Sequence, residues 1–460
     1  MIEAFYAARM PILALAATII GLGEAPSLAA QNEDLSSIRN EITRLRQDYE
    51  AKIESLETRL EKAEAEAEAA KASADSAQAA AQDAQKNVAA AAPAAPERQV
   101  SRPPAALNAF NPAVAAVLNG FFVAASRDPT AARIPGFLLG DGAQGPARGF
   151  SIGESEIALS ANVDPYFAAS MTLSFGNDGT VGVEEGFIQT AGLGEGITLK
   201  AGRFFSGIGY LNERHAHNWT FSDMPLPYRA LLNTQYGDDG IQARWLAPTN
   251  IFLEFGAEWF RGDSFPAGGA ANRGKGAATA FIHTGDDIND SSSWLAALSY
   301  MNARSDKRGM GGDLFTGTDN LGIASLVYKW APGGNLTVQN LVLSAEFMFG
   351  RENGSFNGIR VDSNRNGWYA QGVYQFMPRW SVGLRYAQLG NGGVNAGLLG
   401  SALDGLGRTP SAETALLEFD TSEFARLRLQ YTHDNSDIKP LDQILLQYTV
   451  IYGPHDAHRY

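Results

Sequence analysis

Four of the six histidines in this chain stand in two close pairs, His215 with His217 and His455 with His458. Neutral imidazoles at such short spacing can share a metal ion, and Glu213 beside the first pair could add an oxygen ligand. The plainer reading makes all four hydrogen-bonding polar residues of a loop and a tail, so no metal or cofactor is assigned on spacing alone. The chain has no cysteine. Thiolate metal sites, disulfide frameworks, thiol nucleophiles and an acylated cysteine are thereby excluded. No grouping of serine, histidine and acid suggests catalysis, and His283 and His433 read as polar strand or loop residues, so an enzyme is not expected. A different chemistry is carried by charges that alternate with apolar residues. Arg426 and Arg428 flank Leu427, Glu154 and Glu156 stand two apart, and Glu254 and Glu258 share one parity. Charges at even spacing lie on one face of a strand. Such a face belongs against water.

The elements that would position those charges follow from the same period. In Leu441 to Tyr452, Ile444, Leu446, Tyr448, Val450 and Tyr452 point one way while Gln443, Gln447 and Thr449 point the other. Strict alternation of this kind marks a half-buried strand. It recurs over 113–124, 149–162, 166–175, 181–190, 197–204, 238–247, 250–261, 277–285, 292–303, 321–330, 337–350, 366–376, 379–389, 412–420, 424–433 and 441–452. Connections alternate between tight turns, as at Val163-Asp164-Pro165 and Met377-Pro378, and longer segments at 125–148, 205–237, 262–276, 304–320 and 390–411. The pattern predicts an all-β transmembrane antiparallel barrel of about sixteen strands over 107–460. Lipid offers no hydrogen bonds, so a spanning sheet must close on itself. Trp245, Trp259, Tyr328, Trp330, Trp380 and Tyr386 are expected at the membrane interfaces. A soluble sandwich would need a core large enough to hide the polar faces of all these strands.

A barrel of this size holds water rather than a packed core. By parity its lining includes Glu154, Glu156, Lys200, Arg244, Glu254, Glu258, Lys329, Glu346, Arg385, Glu418, Arg426 and Arg428. Facing lipid, an Arg or Lys near the midplane would cost ~2–4 kcal/mol, so as a set they fit only around water. Arg385, Arg426 and Arg428 are expected to make a basic wall, and Glu154 and Glu156 an acidic one, giving a transverse field that sorts solutes by charge.

Before the barrel the chain changes character twice. Residues 1–29 read as a secretory signal peptide, with an apolar run from Ile12 to Ile20 ending at Ser27-Leu28-Ala29. Residues 31–88 read as a periplasmic α-helical coiled coil. Its heptad positions run Leu35, Ile38, Ile42, Leu45, Tyr49 and then, after a stutter, Ile53, Leu56, Leu60, Ala63 and onward to Val88. Residues 89–106 form a Pro/Ala linker. The formal charge of −14 and a mean hydropathy of −0.16 look like those of a soluble acidic protein, and the acidic balance excludes nucleic acid as a partner. The modest hydropathy is what alternation produces when half of each strand faces water.

With the first connection on the long side at 125–148 and a tight second at 176–180, the third, 205–237, is the longest. It combines Trp219, Phe221, Tyr228 and Tyr236 with Glu213, Arg214, Asp223 and Arg229. Aromatic content argues for packing rather than disorder. In this order of coiled coil, barrel and long third loop the chain resembles proteobacterial outer-membrane porins. The match is to the sixteen-stranded trimeric kind and to the phosphate-selective group with an N-terminal coiled coil. The resemblance implies an inward-folded third loop with Glu213, Arg214, Asp223 and Arg229 at a constriction. It also implies a homotrimer in outer-membrane lipid of a Gram-negative cell, and a terminal aromatic, Tyr460, read by the barrel-assembly machinery. The lysine-rich pore of phosphate-selective members is not matched, since this barrel holds only Lys200, Lys275, Lys307, Lys329 and Lys439. The expected function is passive diffusion of small hydrophilic solutes. The alternative is a substrate-specific channel or a metal-ion (zinc) uptake protein. The coiled coil is expected in the periplasm, joining barrels or touching peptidoglycan.

Overall fold

The structure is a computed structural model, and it describes residues 113–453 apart from 177–178, 269–275 and 311. The signal peptide, coiled coil, linker, His455, His458 and Tyr460 lie outside the described residues. Within them the chain forms seventeen strands in one antiparallel sheet. The first nine are β1 (Ala113–Ala125), β2 (Gly149–Ile152), β3 (Ser155–Asn162), β4 (Phe167–Phe175), β5 (Val181–Thr190), β6 (Ile197–Phe205), β7 (Gly237–Leu246), β8 (Phe252–Phe260) and β9 (Ala277–Asn289). The other eight are β10 (Ser292–Met310), β11 (Asp313–Trp330), β12 (Asn340–Phe356), β13 (Ile359–Met377), β14 (Trp380–Asn391), β15 (Ser411–Ser422), β16 (Ala425–Asp434) and β17 (Leu441–Tyr452).

Each strand pairs with its sequence neighbour. The sheet closes where β1 meets β17, with Ala116 opposite Tyr452 and Ala125 opposite Gln443. β2 and β3 both pair with β1, so they share one position and the barrel is sixteen strands around. The expected single strand 149–162 is thus interrupted. Phe150 and Ile152 point outward, but beyond Gly153 and Glu154 the inward set becomes Glu156, Ala158 and Ser160. One irregular step has changed the parity.

A second departure concerns 304–320, expected as a long loop. It is the end of a hairpin in which β10 and β11 stay paired from Ser292–Trp330 out to Met310–Asp313. β12 and β13 likewise remain paired out to Phe356–Ile359. Both hairpins carry polar residues on their outer faces here, among them the exposed pair Arg351–Asp362 at 3.0 Å. A pattern reader tuned to apolar alternation sees no strand where the outside is polar.

The outer face of the rest is apolar. Leu118, Ile188, Leu199, Ile241, Leu298, Leu326, Phe347, Leu384, Leu429 and Ile444 are all exposed. Trp245 and Trp259 are exposed too, and Trp368 packs on Tyr386 with ring centroids 5.4 Å apart. Inside, two kinds of surface meet. Along β3 to β6 most inward residues are small, polar or charged, with Phe187 and Phe204 among them. Along β9 to β15 many are apolar and buried, including Met301, Ile323, Met348, Tyr369 and Leu389. A sixteen-strand barrel has too wide an interior for wall side chains to cover one another, so something else covers them.

Candidate functional site

The covering element is the third long loop, residues 206–236 between β6 and β7. Its buried residues Ile208, Leu211, Met224, Leu226, Tyr228, Leu232 and Tyr236 form one cluster with the inward apolar residues of β9 to β15. Ile134 and Phe137 of the first long loop, 126–148, join the same cluster. The one α-helix among the described residues, α1 (Leu226–Leu232), packs on β13 and β14. Pro225 and Pro227 pre-set its first turn, and Asn233 ends it in the left-handed conformation with φ 53°.

Polar side chains of the wall fasten the loop strand by strand. On β8, Glu258 accepts from Gly207 N at 2.9 Å and from the hydroxyls of Ser206 and Thr279. From β10, Ser299 Oγ accepts from Gly209 N at 3.1 Å. On β12, Glu346 accepts from Tyr210 N at 2.7 Å, Tyr369 Oη at 2.7 Å and Ser325 Oγ at 2.5 Å. Gly209 has φ +67°, and a Cβ there would stand 2.4 Å from Tyr228 Oη and 2.9 Å from Glu346 Oε1. Only glycine lets the backbone come this close to the carboxylate. On β14, Arg385 donates to Asp223 O at 2.7 Å and to its carboxylate at 2.5 Å, and from β16 Gln430 adds a 2.8 Å bond to the same carboxylate. Arg229 reaches Asp434 at 3.1 Å and the carbonyl of Ala143 at 3.0 Å, tying the third loop to the first.

Burial raises the pKa of Asp223, but Arg385, together with the hydrogen bonds from Arg385 and Gln430, holds it below the ordinary carboxylate range. A depressed carboxylate contributes stability that is present above its unfolded pKa, about 3.9, and is lost as pH falls through the folded one. Docking of the loop is therefore expected to persist at neutral pH and to weaken below about pH 4. Hydrogen exchange of the amides of 206–236, corrected for intrinsic rate, checks this; undiminished protection at pH 3 would contradict it.

On the turn side of the loop lies a cavity of about 1730 Å³. From the loop, Gly209, Tyr210, Glu213, Arg214, His215, His217 and Asn218 face it, and the inner walls of β3 to β6 and the turn ends of β8 to β11 enclose it. Of the four constriction candidates, Glu213 and Arg214 line this space, whereas Asp223 and Arg229 hold the loop to the wall. Glu213 pairs with Arg244, which also meets Glu254 at 3.3 Å. Arg214 stacks on the Tyr210 ring at 4.2 Å. Lys200 faces the cavity over Phe187 at 4.5 Å, and Lys329 lines it near the turn end. Among the other lining candidates, Glu156 and Glu254 face the cavity, while Glu258, Glu346 and Arg385 are covered by the docked loop. Arg428 pairs with Glu418 on the neighbouring strand, and Arg426 sits close to Glu418 and Asp420. The three arginines expected as a basic wall are thus set among carboxylates. Glu154 lies in the break between β2 and β3, beside Glu156 and Glu184.

The first histidine pair enters the same wall. His215 Nδ1 lies 3.2 Å from Glu184 and 3.5 Å from Glu156, and its Nε2 lies 2.9 Å from Glu185. His217 Nδ1 is 3.1 Å from Glu156. Burial would lower the pKa of His215, but hydrogen bonds to Glu184 and Glu185 and the charge of Glu156 outweigh it and raise it well above the usual imidazole range. Glu213, expected beside these imidazoles, turns instead to Arg244. Glu184 and Glu185 are missed by strict alternation, which sends neighbours to opposite faces. Here the β4–β5 register slips: Thr172 faces Glu185 while Leu173 faces Val183, leaving Glu184 as an extra residue. A trace of this is visible in the sequence. Outward Val181 and Val183 are odd-numbered and outward Ile188 is even-numbered, so one residue must be absorbed between them.

The fold and site define a closed antiparallel β-barrel with a loop-narrowed interior. No protein-family model matches the chain. An uncharacterized protein of Aquifex aeolicus (strain VF5) is 28% identical over 391 residues, covering 77% of this chain and 81% of that one. Among solved structures, OmpT, an outer membrane protein of Vibrio cholerae in trimer form, is similar with TM-score 0.48 and 10% identity over 74% of this chain and 98% of that chain. The anion-selective porin from Comamonas acidovorans is similar with TM-score 0.48 and 11% identity over 74% and 98%. The outer membrane channel DcaP of Acinetobacter baumannii is similar with TM-score 0.47 and 10% identity over 74% and 96%.

Proposed function

We propose that this protein is an outer-membrane porin, a water-filled channel for passive diffusion of small hydrophilic solutes that the third loop narrows. The observation that carries the reading is the inversion of the barrel: apolar side chains outside, and inside a charged cavity under an inserted, many-point-anchored loop. A soluble protein does not expose a belt of this extent, and a barrel closed for lipid needs no other cover. The heptad pattern of 35–88 in the sequence supports a homo-oligomer in this reading, three barrels by the porin resemblance, with these residues read as a coiled coil in the periplasm. Proteoliposomes placed in isosmotic pentose are expected to swell, with rates falling steeply for larger sugars. Vesicles that swell no faster than protein-free ones would refute the channel.

The charge of the cavity wall supports a cation preference in this reading. Carboxylates of Glu156, Glu185, Glu213, Glu254, Asp286, Asp287 and Asp290 outnumber the bases Lys200, Arg214, Arg244, Lys329 and His215. A net negative lining concentrates cations. The reversal potential in a KCl gradient is expected to have the sign of potassium preference, and a chloride-selective value would contradict this assignment.

A further inference from the structure

Two sheet irregularities on the same side of the barrel act on the same few cubic ångströms. The break at Gly153–Glu154 turns Glu156 inward, and the bulge at Glu184 leaves two consecutive carboxylates, Glu184 and Glu185, on the lumen side. Each irregularity gives up ladder regularity, and bulges recur where a side chain must be re-aimed. The loop supplies imidazoles to the same point.

We propose that His215 Nδ1, Glu156 and Glu184 bind a divalent transition-metal ion of the zinc type in the wall of the lumen, with Glu185 as the positioning residue for His215 and His217 beside Glu156. The distances fit. Ligands bound to zinc at about 2.0–2.2 Å in a tetrahedron stand ~3.3–3.6 Å from one another. Nδ1 of His215 is 3.2 Å from Glu184 and 3.5 Å from Glu156, and the three ligand atoms lie within 4.8 Å of each other.

The tautomer fits as well. Nε2 of His215 faces Glu185 at 2.9 Å, and Glu185 is itself fixed by Phe205 N at 3.0 Å. A carboxylate holding the far nitrogen of a ligating histidine is the usual outer support of such a site, and once an ion displaces the proton on Nδ1 the lone pair there is directed at the metal. A hydrogen on Nδ1 could satisfy only one of the two carboxylates that converge there, whereas a cation satisfies both. Imidazole with carboxylates and no thiolate selects borderline divalent ions over calcium, which takes six or more oxygens. Glu156, Glu185, His215 and His217 all face the cavity, so an ion has a path.

The site rests on the barrel and its loop, not on conduction, so the test needs no channel activity. The full chain, folded in detergent and freed of metal, is dialysed against Zn2+, Co2+ or Ca2+ and its bound metal measured. About one zinc per chain is expected, with a cobalt visible spectrum typical of nitrogen and oxygen ligands, and no retained calcium. Glu184→Gln and His215→Ala should lose the ion, and Glu185→Gln should weaken it about 10–100-fold. A variant lacking His455 and His458 should bind as the parent does. Absence of zinc from the parent protein would overturn the proposal. So would loss of all binding in the tail variant, or undiminished binding in Glu184→Gln with heat-modifiable mobility intact.

Discussion

Replacing Arg385 with alanine is expected to release the middle of the third loop and raise single-channel conductance while leaving the barrel folded. The guanidinium gives Asp223 two of its three anchoring bonds, one to the backbone and one to the carboxylate, and it also lies over the Phe221 ring at 4.6 Å. Removing Arg385 leaves the partly buried Asp223 carboxylate with only Gln430 and the more distant charge of Arg229, at a cost of about 1–3 kcal/mol. That energy weighs against loop docking, because the sixteen-position ladder does not depend on it. Restoring the loop in part by changing Asp223 as well would show the coupling directly: in the double variant the effects should be far from additive. Equal conductance in parent and Arg385→Ala would mean that the loop is held without this pair.

The second large effect is expected from Glu346→Ala. This carboxylate lies fully inside β12 and accepts from Tyr210 N, Tyr369 Oη and Ser325 Oγ. Hydroxyls can turn to other partners, but the backbone N–H of Tyr210 cannot. An orphaned buried donor costs about 1–3 kcal/mol, and the loss of the charge-assisted bonds adds about as much again. Because Gly209 and Tyr210 begin the stretch that faces the cavity, the change should appear as noise and larger steps in current traces, with lowered thermal stability of the loop measured by hydrogen exchange. Glu346→Gln keeps an acceptor at the same place and should show a smaller effect of the same sign. A Glu346→Ala protein indistinguishable from its parent in both readouts would remove this anchor from the account.

Much of this arrangement is legible in the residues, and the illegible parts share a cause. β16 and β17 can be read directly, since Leu427, Leu429, Tyr431, Ile444, Leu446 and Tyr448 are outside and Arg428, Gln430, Gln447 and Thr449 inside. The third loop announces itself through length and aromatic content. Alternation reports only a contrast between two faces, however. Where the inner wall is covered by the loop, as at Met348 and Tyr369, both faces are apolar and the contrast fades. Where hairpins β10–β11 and β12–β13 continue with polar outer faces, it fades in the opposite sense. At Glu184 the phase itself shifts, and a rule that fixes parity along a whole strand sends one of two neighbouring carboxylates to the wrong side.

The same reasoning separates wall residues that anchor from those that meet solute. Parity places Glu254, Glu258, Glu346 and Arg385 alike on the inner face. Only the loop's backbone donors and Asp223 turn Glu258, Glu346 and Arg385 into anchors, leaving Glu254 with Arg244 and Glu213 at the cavity. Those partners lie from about fifty to more than a hundred residues away, so no local pattern could assign the roles.

Single-channel recording of the purified full chain, beside a variant whose residues 212–235 are replaced by a short Gly-Ser linker, tests the central claim most directly. A water-filled barrel narrowed by its third loop predicts discrete open steps from both proteins and larger steps from the shortened one. A membrane that stays silent with both, or steps of equal size, would contradict it.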